Sequence, residues 1–197
     1  VDPSGNARFS RRSFVKTLKP EFWETGPDTK VRVDGNIATI SGLDVWENHT
    51  IASSGRTDEP AALEPGRTLS QAFTVAPDVE FSSLSVRLPT WHSKTSSATL
   101  SLYCGSELIA QRRMENVPDN SWQALQFPTR GEGSYEIRLS DASGDIGWWS
   151  GPQGRAFTIN ARRSAGTGTL TYTLDKNRLL LRAEAQVKLG LQARSLP

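Results

Sequence analysis

Apolar residues in this chain recur at every second position over short runs, and Pro, Gly, Asn or Asp ends most of the runs. A period of two belongs to a strand with one buried face and one wetted face, whereas a helix needs a period of 3.6. "TKVRVDGNIATISG" (29–42) is the clearest case. Val31 and Val33 alternate with charges, Asp34 to Asn36 supply a turn, and Ile37 with Ile40 begin the return, so a hairpin is predicted. The pattern recurs in "TLSQAFTV", "FSSLSVRLP", "SATLSLYCG", "SWQALQFP", "GSYEIRLSD", "RAFTINAR" and "GTLTYTLD". Leu100 and Leu102 face away from Ser101 and Tyr103, and Tyr135, Ile137 and Leu139 alternate with Glu136 and Arg138. Closely spaced short strands of this kind predict an all-β fold, an antiparallel β-sandwich.

Two segments depart from the period. "SSGRTDEPAALEPG" (53–66) has none and reads as a long loop with a helical turn at Ala61 to Leu63. In "NRLLLRAEAQVKLGLQARSLP" (177–197) the odd positions from Leu179 to Leu191 are all apolar, while the Leu, Ala, Glu, Gln and Lys content suits a helix. The alternation favours a strand.

A chain of 197 residues can bury a core without staples. Cys104 is the only cysteine, so an intrachain disulfide is impossible, and with only His49 and His92 a Cys/His zinc site is not expected. No apolar run is long enough for a membrane-spanning helix, so no membrane partner is predicted. "SRRSFVKTL" (10–18) has the paired arginines of an export signal but is followed by polar "KPEFWETGPD". It reads better as a charged arm or surface strand, and residues 1–30 are taken as an N-terminal extension, with 31–197 as the sandwich domain.

Charge is segregated. Residues 1–20 carry five Lys/Arg and one acid, and residues 155–197 carry eight and two, around a middle with ten basic and eighteen acidic residues. The tryptophans lie mostly in the acidic body, which argues against nucleic acid as a ligand. The basic ends suit contacts with an acidic neighbouring domain or subunit.

Catalytic motifs are absent: the chain has no GxSxG, phosphate loop, dinucleotide fingerprint or metalloprotease helix. His49 and His92 read as solvated loop residues, and no catalytic residue is assigned. An aromatic-and-polar pattern is more informative. Trp91 follows an apparent strand ending at Leu88, Asp119, Asn120 and Trp122 sit at the start of another, and Trp148 with Trp149 follow a third. A sugar ring has an apolar C–H face that stacks on an indole, and its hydroxyls need Asp, Asn, Gln or Arg nearby. Asp145 and Gln153 complete that set. Tryptophan at a strand end also serves as a lid on a core. In an extended pair the two roles separate, because neighbouring side chains point to opposite faces. One of Trp148 and Trp149 is therefore expected inside and the other outside. The turns "DNS" (119–121) and "SDASGD" (140–145) offer oxygen ligands for a structural calcium, with Asp119 and Asp141 as carboxylates, although turn chemistry alone also accounts for them.

The order "QAFTV", "FSSLSVRLPTW", "ATLSLY", "NVPDNSWQALQF", "GSYEIRLSDASGDIGWWSG", "AFTINARRSAGTGTLTY" resembles galactose-binding-like β-sandwich modules that accompany secreted bacterial polysaccharide-degrading enzymes. The likeness covers about 68–174, and "PTW", "DNSW" and "GWWS" are its most specific pieces. It implies a jelly-roll of about eight strands, often with a structural calcium and sometimes with a carbohydrate site in the loops. Arg162 and Arg163 stand where a small polar turn is expected. The resulting expectation is a non-catalytic carbohydrate-binding or accessory module, extracellular or periplasmic. The alternatives are an interaction domain in a larger assembly (virion, phage tail or multidomain enzyme) and a small sugar-active lyase or hydrolase.

Overall fold

A computed structural model describes residues 21–53, 56–175 and 178–188. The paired-arginine segment and residues 1–20 of the expected arm lie outside the described residues. The described residues form thirteen strands and no helix: β1 (Glu21–Asp34), β2 (Ile37–Ala52), β3 (Glu59–Ala62), β4 (Leu69–Val75), β5 (Val79–Leu88), β6 (Ser97–Cys104), β7 (Glu107–Met114), β8 (Ser121–Arg130), β9 (Gly133–Ser143), β10 (Gly147–Gly151), β11 (Gly154–Arg155), β12 (Phe157–Asp175) and β13 (Arg178–Lys188). The all-β expectation holds, and residues 178–188 are a strand. The described residues divide into two compact units, one within 48–163 and the other within 1–47 and 164–197.

The unit 48–163 is a sandwich. One sheet runs β4-β9-β6-β7, and the other places β5 between β12 and β8. The pairings of β4 with β9, of β6 with β9 and with β7, and of β5 with β8 and with β12 are all antiparallel. Leu84, Val86 and Leu88 of β5 meet Leu100 and Leu102 of β6, Ile137 and Leu139 of β9 and Ile159 of β12 in one core. At one end Phe73, Phe81, Phe127, Tyr135 and Phe157 pack ring on ring, with Phe73 and Tyr135 stacked at 5.4 Å and Phe81 edge-on to Tyr135 at 5.1 Å. Burial raises the Tyr135 phenol above its usual pKa, and its hydroxyl donates to the Gly131 carbonyl at 2.8 Å. The predicted wet face of β6 is partly covered: Ser101 is only 2% exposed and accepts a bond from Gln111 Nε2 at 3.2 Å.

The inward positions of β5 change parity within the strand. Val79 and Phe81 are buried, Ser82 is exposed and Ser83 half-exposed, and then Leu84, Val86 and Leu88 are buried. Opposite this break the register of β12 on β5 slips between Thr158 and Ala161. This is a β-bulge, in which an extra residue rotates the downstream side chains onto the other face. Arg87 consequently points outward.

The segment 53–66 is not a loop with a helical turn. Glu59–Ala62 pairs antiparallel with β10, matching Gly147 to Ala62 and Trp149 to Pro60. A strand held by its partner's backbone needs no side-chain period of its own. Leu63 follows, buried, its amide donating to the Ile146 carbonyl at 2.9 Å.

In the second unit β1 and β2 form the predicted hairpin. Asp34 faces Ile37 across Gly35 and Asn36, with Gly35 at φ +59 as a two-residue hairpin turn requires. The face carrying Val31 and Val33 is open to solvent, at 68% and 65% exposure, and Ile37, paired with Asp34 on the opposite face, is 42% exposed. β12 pairs antiparallel with β13 in the same unit.

Candidate functional site

The tryptophan pair resolves as strand geometry demands. Trp148 is fully buried in the core, and its indole N–H donates to the Ala156 carbonyl at 2.8 Å. It is therefore a core anchor and is not available to a ligand. Trp149, on the opposite face of β10, is half-buried, and its N–H donates to Asn120 Oδ1 at 2.8 Å. Residues 147 and 149 share that face, and Gly147 lies against the Trp91 ring: a Cβ at 147 would stand 2.8 Å from Trp91 Cη2 and collide with the Ala61 carbonyl oxygen. Absence of a side chain at 147 is what lets the Trp91 ring lie down there.

Next in line is Arg87. Its guanidinium carbon sits 5.3 Å from the Trp149 ring centroid, within cation–π range. Across the ladder of β5 and β8 Arg87 faces Trp122. Trp91 and Trp122 are 44% and 51% exposed. The row thus runs Trp91, Gly147 with Trp149, Arg87 and its cross-strand neighbour Trp122: two exposed indoles, an arginine and a half-buried indole.

The loops beside this row are held in uncommon backbone conformations. Trp91 and His92 lie in the left-handed region, at φ +48 and +67, and so do Asn116 and Asn120, at +51 and +55. For a bulky residue such a φ costs about 1–2 kcal/mol, and it persists where the surroundings over-determine it. Asp119 supplies much of that restraint. Its Oδ1 accepts the Thr90 amide at 2.7 Å, and its Oδ2 lies 3.0 Å from Asn120 Nδ2 and 3.3 Å from His92 Nδ1. The Thr90 amide holds the Asp119 carboxyl below its usual pKa, with smaller help from His92 and from the Asn120 and Trp91 amides, against the opposing effect of burial. A turn bond from the Ser93 amide to the Thr90 carbonyl at 2.9 Å closes the loop. Beside it His92, Ser93, Lys94, Asn116, Val117, Pro118 and Asp119 line an open depression of about 400 Å³.

The other expected residues are placed differently. Asp145 is exposed just before β10, and its backbone carbonyl accepts Ser96 Oγ at 2.5 Å. Gln153 lies in the turn from β10 to β11, at the other end of β10 from Gly147. Asp141 takes the left-handed φ of +54, its carboxylate accepts the Ser140 hydroxyl at 2.9 Å, and its carbonyl accepts Arg113. Among the described residues no three His, Cys, Asp or Glu gather as a metal site. The Asp119 oxygens are already engaged by the loop, so its visible role is that of a staple. Arg162 and Arg163 also have work within the unit, Arg162 pairing with Glu80 at 2.8 Å and Arg163 with Asp78 at 3.2 Å.

No protein-family model matches the chain, and no curated protein matches it. Among solved structures it is similar to the carbohydrate-binding module CBM36 in complex with calcium and xylotriose, at 14% identity over 74% of this chain and 98% of that one, with a TM-score of 0.31. It is similar to TmCBM61 in complex with β-1,4-galactotriose, at 13% identity over 70% and 88%, TM-score 0.26. A third is a Paenibacillus sp. cycloisomaltooligosaccharide glucanotransferase complexed with cycloisomaltoheptaose, at 17% identity over 74% of this chain and a TM-score of 0.32. This chain spans 18% of that enzyme's length. At such low scores the likenesses carry nothing about function, which has to be read from the residues of the row.

Arg87 is the residue that the sequence pattern passes over. Its signal is "SVRLPTW": Val86 and Leu88 turn inward, which sends Arg87 outward beside the Trp91 loop. Counting alternation from Val79 points it the wrong way, because of the bulge. The contact of His92 with Asp119 joins residues far apart in sequence, and no local pattern announces it.

Proposed function

We propose that the unit 48–163 is a carbohydrate-binding accessory module and that the Trp91–Trp149–Arg87–Trp122 row is its site. Two exposed indoles in one row, Trp91 in a loop of costly backbone conformation and Trp122 on β8, are the observation that supports it. Trp91 and Trp122 offer plates for the C–H faces of sugar rings. Asn120, His92 and the Ser93, Lys94 and Asn116 side chains at the depression offer hydrogen bonds to hydroxyls. Trp149 acts from beneath, fixing Asn120 and carrying Arg87. Two plates and a few net hydrogen bonds amount to roughly 4–5 kcal/mol, a dissociation constant on the order of 0.1–1 mM. Affinity of that size is useful when the module is tethered to a catalytic domain or to several copies of itself.

Affinity electrophoresis against a panel of soluble polysaccharides tests the reading. Retardation by at least one polymer is expected, and Trp91→Ala and Trp122→Ala should each release the protein while leaving its melting temperature nearly unchanged. Equal retardation of both variants would remove the row as the site.

A second reading, docking within a larger assembly, is supported by the open face of the β1–β2 hairpin that carries the exposed Val31 and Val33. Sedimentation of the wild type and of Val31→Thr/Val33→Thr across a range of concentrations tests it. A monomer in both rules out self-association through that hairpin.

A further inference from the structure

Resting on the sugar-binding reading above, we infer that the row takes an anionic glycan, one whose sugars carry a carboxylate or a sulfate ester, with Arg87 holding the oxyanion between the two exposed indoles. Arg87 stands apart from most arginines of its unit. Arg138 is bound by Glu136 at 2.6 Å, Arg162 by Glu80 at 2.8 Å and Arg113 by Glu115 at 2.9 Å. No carboxylate among the described residues pairs with Arg87; its backbone amide donates to the Ala156 carbonyl, and its guanidinium is set over Trp149. A guanidinium placed by an aromatic ring, with its fork of N–H donors unspent, is organised in advance for a planar oxyanion.

The surrounding charge agrees. The carboxylate of the row, Asp119, is engaged by the Thr90 amide, Asn120 and His92. His92 and Lys94 both line the neighbouring depression. A site for neutral sugars gains from free carboxylates that accept hydroxyl protons. Here the free group is a cation, and the carboxylate is tied to the loop.

Calorimetric titration of the whole chain tests this, with polygalacturonate as the carboxylate source, dextran sulfate as the sulfate source, neutral galactan and xylan, and a single-stranded oligonucleotide. Salt at about 0.15 M keeps long-range attraction screened. Arg87→Gln should weaken binding of the preferred acidic polymer by about tenfold to a hundredfold. Arg32→Gln, which removes the same charge from the other compact unit, should stay within about twofold of wild type, because a screened charge outside the site contributes little. Arg87→Lys keeps the charge without the fork. Partial recovery with dextran sulfate and little with polygalacturonate would fit the two oxyanion geometries.

Preference for either acidic polymer supports the inference and names its source. A neutral glycan bound equally by wild type and Arg87→Gln overturns the inference and leaves the sugar reading standing. Failure to bind any polysaccharide overturns both, as does tighter binding of the oligonucleotide than of every glycan. Equal weakening by Arg87→Gln and Arg32→Gln reduces the effect to general charge attraction and also overturns the inference. Thermal melts of each variant confirm that the fold is retained.

Discussion

Replacing Gly147 by alanine tests whether one missing side chain holds the row together. The added methyl would collide with the Ala61 carbonyl, which belongs to the paired strand β3, and would stand 2.8 Å from Trp91 Cη2. Neither neighbour yields easily. The carbonyl is fixed by the β3–β10 ladder, and on the other side of Gly147 its amide donates to the Pro89 carbonyl at 3.0 Å. Overpacking of this kind costs about 1–3 kcal/mol, and one loosened ladder bond adds about 1 kcal/mol, so roughly 2–4 kcal/mol is expected in all. In a unit of this size that lowers Tm by about 10 °C. Gly131→Ala is the control, since a Cβ there meets only the Val79 carbonyl at an ordinary 3.7 Å. Guanidinium unfolding followed by tryptophan fluorescence measures the stability change, and polysaccharide retention measures the row. If Gly147→Ala melts within about 1 °C of the Gly131→Ala control, Trp91 does not lie against Gly147 and the row is misdrawn.

The two adjacent tryptophans should separate cleanly. Trp148→Ala leaves a large cavity and removes one of the two hydrogen bonds to the Ala156 carbonyl, and should cost about 3–5 kcal/mol, whereas Trp149→Ala should cost less and act mainly on glycan retention; equal Tm losses would contradict the inside–outside assignment. Asp119 and Glu136 are both held below their usual carboxyl pKa values, by the Thr90 amide and by Arg138 respectively. Depressed folded-state values mean that the unfolded chain binds more protons, so their contribution is complete above the unfolded values of about 4 and is lost as pH falls through the folded ones. Denaturant titrations from pH 7 to 2.5 should show stability falling with acid below about pH 4, and Asp119→Asn should flatten part of that slope; an unchanged slope would refute the staple role.

Much of the sandwich was readable because its strands bury one face. Tyr135, Ile137 and Leu139 alternate in the sequence and are all buried in β9. The same rule separated Trp148 from Trp149. Where strands are held by something other than their own side chains, the reading failed. β3 carries no period, because β10 supplies its backbone bonds. Val31 and Val33 have the alternation of a buried face yet lie in solvent, since a pattern of two identifies a strand and not what covers it. The site was legible as a set of residue types but not as an arrangement. Asp119 stands out in the sequence as a turn carboxylate, but its partners Thr90 and His92 come from a different loop. Arg87 stayed hidden because an alternation rule carries no memory of an inserted residue.

That inserted residue has a wider meaning. Upstream of Ser82 the odd-numbered side chains of β5 turn inward, and downstream the even-numbered ones do, so the strand keeps its parity in a single extra unit of length. Shortening the chain by one at Ser82 or Ser83 would drive a guanidinium into the hydrocarbon interior and push Val86 and Leu88 into water, with every remaining letter unchanged. The proposed site is thus encoded partly as a count, and a descendant that loses that count would lose the cation without any substitution at position 87.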